Sequence, residues 1–333
     1  MRNWWPFIIA LLGALLLAVV MTTPPPPLGV DAPAAGFSAA RAMADVREIG
    51  RAPHPTGSAD NARVRHYLEG RLLALGMQVR ETSSPLSAVG ASQLTKWSGS
   101  PARPPIVNIV ATLPGSGTDT QAVLLLAHYD SVLGSPGAAD DAAGVASALE
   151  VVRAVKASGA RLQRPLAVVF TDGEQLGLEG GRALFTGDPD RHNIGVVVNM
   201  ETRGGGGRIA MFETGRDNGA MVRLFARAVQ HPSAMSLSVY IYEKLPNSTD
   251  YIVAKRLDIP GFNFAFIGRP GLYHSPLATP GRLDQGAVQD MGDQVLDLTY
   301  ALLAVDRLPG LAPSLAFFDV FGLGTLAYAP IWG

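Results

Sequence analysis

Two hydrophobic periodicities alternate along most of the chain. Short apolar runs, "IVNIVATL" (106–113), "AVLLLA" (122–127), "PLAVVFT" (165–171), "GVVVNM" (195–200), "RIAMFE" (208–213) and "GFNFAFI" (261–267), have the length and β-branched content of buried strands. "MQVRET" (77–82) and "SVYIYE" (238–243) are predicted as further strands. Between them lie segments with helical spacing. These are "FSAARAMADVREIG" (37–50), "NARVRHYLEGRLLALG" (61–76), a helix opening after Asp141, "NGAMVRLFARAVQ" (218–230), a short helix in "STDYIVAKRL" (248–257), and a long last helix capped by Asp284. Residues 85–104 are polar and rich in Gly, Pro and Ser, and are predicted as an irregular excursion. Strands of this kind alternating with helices predict an α/β fold, with a mixed, mostly parallel sheet flanked by helices on both faces. No internal repeat or boundary interrupts 35–310, so a single domain is expected there.

The two ends break this rhythm. Trp4 to Met21 carries no charge, and eighteen helical residues would span roughly 27 Å, close to a bilayer core. A small-x-small cleavage site is missing and Trp4–Trp5 suit an interface, so residues 1–27 are expected to be a transmembrane anchor and Pro-rich spacer; a cleaved signal peptide, and hence a secreted protein, is the alternative. Arg2 on the inner side would make this a single-pass protein with its domain on the extracytoplasmic side. The tail, 311–333, is apolar and aromatic, and reads as an edge strand or as the approach to a further membrane segment.

Composition narrows the chemistry. In 333 residues, 47% hydrophobic and 17% charged with a net charge of −1, nothing suggests a nucleic-acid partner. There are no cysteines, so any metal must be held by His, Asp or Glu. Open α/β sheets place chemistry at the carboxyl ends of strands. There the chain puts His128, Asp172-Gly173-Glu174-Gln175, Glu201 and, after "GRPGLY", His274; Asp140 opens a helix behind His128. Each residue alone is weak evidence. Together they form a carboxylate cluster that would repel itself without cations. His54, His66, His192 and His231 lack acidic partners at metal spacing and are expected to be surface or capping residues. "RGGGGR" (203–208) reads as a tight turn between strands, and Glu179 is not expected to join the site.

The motifs "HYDS", "PGAADDAAG", "FTDGEQLGLEG", "VVNMETRGGGG" and "YHSPLATPGRLD" resemble, in order and spacing, the co-catalytic zinc aminopeptidases of the bacterial leucyl aminopeptidase and aminopeptidase Y type. "NSTDY" and "IPGFNFAFI" are similar to the membrane-bound subgroup that includes endoplasmic reticulum metallopeptidase and vacuolar membrane protease. The resemblance covers about residues 40 to 307. It implies a zinc-exopeptidase (phosphorylase/hydrolase-like) fold over 35–310 and a metallo-aminopeptidase acting on peptides with a free N-terminus. It assigns His128, Asp140 and Glu201 to a first Zn²⁺ and Asp140, Gln175 and His274 to a second. Asp130 would orient His128, Glu174 would be the general base that takes a proton from the attacking water, and Tyr273 would stabilise an oxyanion. The bond from Asp140 to Asp141 is expected to be cis. One position departs from the family pattern: Gln175 stands where a second Glu is expected, which weakens the second site. The alternatives are a non-catalytic or single-metal binding module and a glutaminyl cyclase-like acyltransferase.

Overall fold

A computed structural model of the chain describes residues 3–330, so Arg2, on which the orientation expectation rests, and residues 331–333 of the tail lie outside the described residues. The chain opens with the apolar helix α1 (Trp5–Thr22), whose side chains are not buried against the rest of the protein. It continues through α2 (Ala39–Ile49), α3 (Ala59–Ala74), β1 (Gln78–Ser84), α4 (Ala88–Ser98), β2 (Ile106–Leu113), β3 (Ala122–His128), α5 (Ala142–Ala157) and β4 (Leu166–Thr171). The second half contains α6 (Glu179–Arg182), β5 (Ile194–Thr202), β6 (Gly206–Thr214), α7 (Gly219–Ala228), α8 (Ser236–Tyr242), α9 (Tyr251–Arg256), β7 (Gly261–Gly268), α10 (Gln285–Ala304), β8 (Ala316–Asp319) and β9 (Thr325–Tyr328).

Seven strands form one sheet in the order β1-β2-β4-β3-β5-β7-β6. Its centre, β4-β3-β5-β7, is parallel, whereas β2 and β6 run against their neighbours, so five of the seven strands point one way. Alternate residues of the central strands feed cores on opposite faces. Val123, Leu125 and Ala127 join α2, α5 and α10, while Leu124 and Leu126 meet Leu184, Phe185 and Tyr251 on the other side. Because both faces are covered, β3 is apolar at every position up to His128, as expected of a doubly buried strand. Each fully buried leucine contributes about 1.5–3 kcal/mol by leaving water.

Three expectations are corrected. The stretch 85–104 is not irregular: Ser87 accepts a bond from the Gly90 N–H, and Gly99 closes α4 at φ 68°, so a helix lies between two ordinary caps. "SVYIYE" is not a strand but most of α8; in the helical form Tyr242 sets its ring edge-on to Phe212 at 4.6 Å, and packing against β6 overrides the β-propensity of the segment. The apolar tail does not extend the main sheet. β8 and β9 form a separate two-stranded sheet, joined to the segment before α8 by a bridge from Phe318 to Met235, and Phe317 is turned into the core.

Candidate metal centre

The sheet register brings the first two side chains together. β3 and β5 are parallel, with Leu126 opposite Asn199. Two residues further along, His128 and Glu201 therefore stand side by side at the same end of the sheet. Asp140 arrives from the loop after β3, immediately before the Asp141 that caps α5 through the Gly144 N–H, and the Asp140–Asp141 bond is cis. One ligand atom from each of His128, Asp140 and Glu201 lies within 4.8 Å of the others, and all three residues are buried. His128 Nε2 is 3.1 Å from Asp140 Oδ1 and 3.8 Å from Glu201 Oε2.

Supporting contacts fix the orientation of this group. His128 Nδ1 lies 2.9 Å from the Asp130 carbonyl oxygen, which makes Nδ1 the protonated nitrogen and leaves Nε2 facing the carboxylates. The Asp130 carboxylate is close by as well, with Oδ1 3.4 Å from the same nitrogen. It accepts the main-chain N–H groups of Glu174 and Gln175 at 3.1 and 3.2 Å, and so holds the turn after β4 against the loop after β3. Glu174 is thereby placed with Oε2 3.9 Å from His128 Nε2.

The other oxygen of Asp140 faces a second group. Asp140 Oδ2 is 3.0 Å from His274 Nε2 and accepts the Gln175 side-chain amide at 3.1 Å. The Tyr273 ring stacks on that of His274, with centroids 3.7 Å apart, and the Arg203 guanidinium lies 5.2 Å above the tyrosine ring. Every residue predicted for the site is thus found around Asp140 or one contact away from it.

Electrostatics follow from burial. Removal from water, together with neighbouring carboxylates, pushes Glu174 and Glu201 well above the usual carboxyl range, against the pull of His128. Burial also pushes Asp140 upward, but bonds from His128 and His274 outweigh it and hold Asp140 at about 2. His128 is raised well above an ordinary histidine, because Asp130 and Asp140 outweigh the cost of burying its charge. An imidazole nitrogen and several carboxylate oxygens in a chain without thiolates form a donor set that fits a zinc-type divalent cation, which would neutralise the cluster.

Sequence reasoning placed Asp172 in the cluster without giving it a role, and missed Asp250 and His54. Asp172 is raised to about 7 by burial and by Asp130, and is held by Thr56 and Asn61. Asp250 is raised to about 6 by burial despite a bond from Thr171. The "NSTDY" motif and the acid directly after β4 were the available signals for these two. His54, expected to be a surface or capping residue, is fully buried; its main-chain N–H donates to the Ser131 hydroxyl at 2.9 Å, behind the site, and burial lowers the pKa of its imidazole. His66, His192 and His231 are exposed. Glu179 is buried outside the centre, accepting from the Ser87 N–H and hydroxyl at the start of α4. "RGGGGR" is the turn from β5 to β6.

Comparison with known proteins agrees with this picture. The model of peptidase family M28 matches residues 108–299. Endoplasmic reticulum metallopeptidase 1 of Rattus norvegicus is 30% identical over 294 residues, 83% of this chain and 32% of that protein. The vacuolar membrane protease of Yarrowia lipolytica is 28% identical over 301 residues, 84% of this chain and 30% of that protein. The chain thus spans about a third of the length of these curated relatives. Among solved structures, an aminopeptidase from Aneurinibacillus sp. strain AM-1 superimposes with a TM-score of 0.63 at 15% identity, covering 84% of this chain and 97% of the other. Glutaminyl cyclase of Porphyromonas gingivalis superimposes with a TM-score of 0.61 at 18% identity, covering 79% and 98%. These likenesses establish the zinc aminopeptidase fold, which the cyclases share.

Proposed function

The chain belongs to peptidase family M28, and on that premise we propose that it is a membrane-anchored metallo-aminopeptidase that removes N-terminal residues from peptides. The observation that carries this reading is the meeting of His128, Asp140 and Glu201, from three separate segments, with Glu174 beside them. These three residues would hold a first Zn²⁺, and Asp140 Oδ2 with His274 would offer a second position, which Gln175 faces with a neutral amide in place of a carboxylate. A Zn²⁺ bound there would supply a Lewis acid for the scissile carbonyl and a water acidic enough to react near neutral pH.

The chain's own groups account for the remaining tasks. Glu174, held on its turn by Asp130, takes a proton at its carboxylate and returns it to the leaving amine; its upward-shifted pKa suits a group that must carry a proton during the reaction. Tyr273, stacked on His274, would donate its hydroxyl to the developing oxyanion. The acidic wall favours a substrate's α-ammonium, which supports exopeptidase over endopeptidase action. The helix α1 serves as the anchor, with the domain on the extracytoplasmic side.

A panel of aminoacyl-nitroanilides, free and N-acetylated, assayed with the full chain before and after chelation and after Zn²⁺ return, tests the proposal. Cleavage of free substrates only, lost on chelation and restored by Zn²⁺, is expected. Equal cleavage of acetylated substrates would sink the aminopeptidase assignment, and inertness toward all of them, with cyclisation of N-terminal glutamine, would favour the acyltransferase alternative.

A further inference from the structure

The hairpin of β8 and β9 has one face turned to the core and another that is apolar and bare. Phe317 is buried, whereas Phe318, Leu326 and Tyr328, which share the opposite face, are exposed. The connecting turn projects Phe321, 54% exposed, and Leu323, 80% exposed. Phe321 has a φ of 51°, a left-handed conformation unusual for a bulky residue, and its ring points into solvent. Between 310 and 330 the only side chain charged at neutral pH is Asp319. Its carboxylate is occupied by the Ala234 and Gly322 N–H groups, so it gives the outer face no charge. Water-facing hairpins ordinarily carry charged residues at such positions, and a bare apolar patch marks an interaction surface.

The hairpin's position identifies the partner. Gly322 lies against Arg208 at the start of β6, where an added Cβ would be 3.5 Å from the guanidinium. Arg208 is bound at 2.6 Å to Asp290 of α10. Helix α1 approaches the same strand β6, and the Pro25 carbonyl rests on Gly286 in the first turn of α10. The end of the apolar helix and the tip of the hairpin therefore flank one corner of the domain.

We propose that this tip is a second membrane contact, with Phe321 and Leu323 seated in the interfacial layer of the bilayer beside the anchor. The inference rests on the reading of α1 as the anchor and adds a fixed orientation to it. A tether alone leaves the domain free to tumble, whereas a tether and an apolar tip hold one face toward the lipid.

The absence of cysteine permits a direct test. Full chains carrying Leu323→Cys, Leu12→Cys in α1, or Ala160→Cys in the loop before β4 at the opposite end of the sheet are labelled with an environment-sensitive fluorophore. Each is reconstituted into phosphatidylcholine vesicles with or without spin-labelled lipid. At an interfacial depth of about 5–10 Å, the label at 323 is expected to shift to the blue and lose about half its emission to the spin label, while that at 160 does neither. An unquenched 323 beside a quenched 12 overturns the inference and leaves the anchor standing; if neither is quenched, both readings fall. A blue shift at 323 that is indifferent to the spin label, with 323 cross-linking between copies, assigns the patch to a second copy of the chain and also overturns the proposal.

Discussion

On the Oδ1 side of Asp140, His128 and Glu201 stand on adjacent central strands and are almost sealed from water. On the Oδ2 side, His274 comes from a loop with 37% of its side chain exposed, and its companion is the uncharged Gln175. The strand-borne half has its geometry set by sheet register and its charge by carboxylates. The loop-borne half has neither, since a side chain on a loop costs more entropy to hold and an amide attracts a cation less than a carboxylate does. Were both sides of Asp140 to hold a cation, the Oδ1 side would bind it more strongly, and the loop and the amide would together weaken the Oδ2 side.

The largest expected effect comes from the residue both halves share. Asp140→Asn should weaken Zn²⁺ binding by more than the roughly 10–100-fold that loss of a supporting contact costs, and should bring activity to background. Metal content after dialysis measures this, and a variant that keeps full zinc would end the shared-ligand picture. Glu174→Gln should lower kcat by about 10²–10⁴-fold while zinc content stays at the wild-type level. Equal loss of metal and rate would instead make Glu174 a ligand.

Gln175→Glu sharpens the contrast between the halves. It should raise bound metal from about one toward two per chain and increase activity by up to about tenfold, since a carboxylate replaces a neutral donor at a dication. Unchanged stoichiometry would show that the loop, and not the amide, limits the second position. The smallest effect belongs to an acid with no cation to meet. Asp293 on α10 is raised to about 6, mainly by burial. Its folded form binds a proton that the unfolded form, with an ordinary pKa near 3.8, does not, so stability falls as pH rises from about 4 to 6 and stays reduced above. Asp293→Asn should remove that fall and stabilise the protein at pH 7.5 by about 1 kcal/mol, after allowance for partial exposure, with little change at pH 4. Thermal unfolding at the two pH values measures it, and a gain of equal size at both would refute the titration account.

Much of the strong half was legible in the sequence, because β3 and β5 read as buried strands and the polar residues at their ends, each weak evidence alone, gather acids and a histidine at one end of the sheet. His128 and Glu201 stand out for that reason. The weak half was legible through motif spacing alone. Helix α8 was not legible: Val239, Tyr240 and Ile241 favour a strand, and only contact with β6 decides otherwise. Helix α4 carried its caps, Ser87 and Gly99, in plain view, but its polar interior masked them. His54 was missed because its partners are a main-chain carbonyl and a serine, which leave no pattern of acids.

The carboxylate of Asp130 grips two consecutive main-chain amides, while the carbonyl of the same residue steadies an imidazole. The span between Glu174 and His128 therefore runs through one residue, with the Asp130 side chain as its single rotatable link. A drift in the strand that bears the histidine would carry the glutamate along with it. The two behave as teeth of one gear, and tolerance to distant mutation would be shared between them.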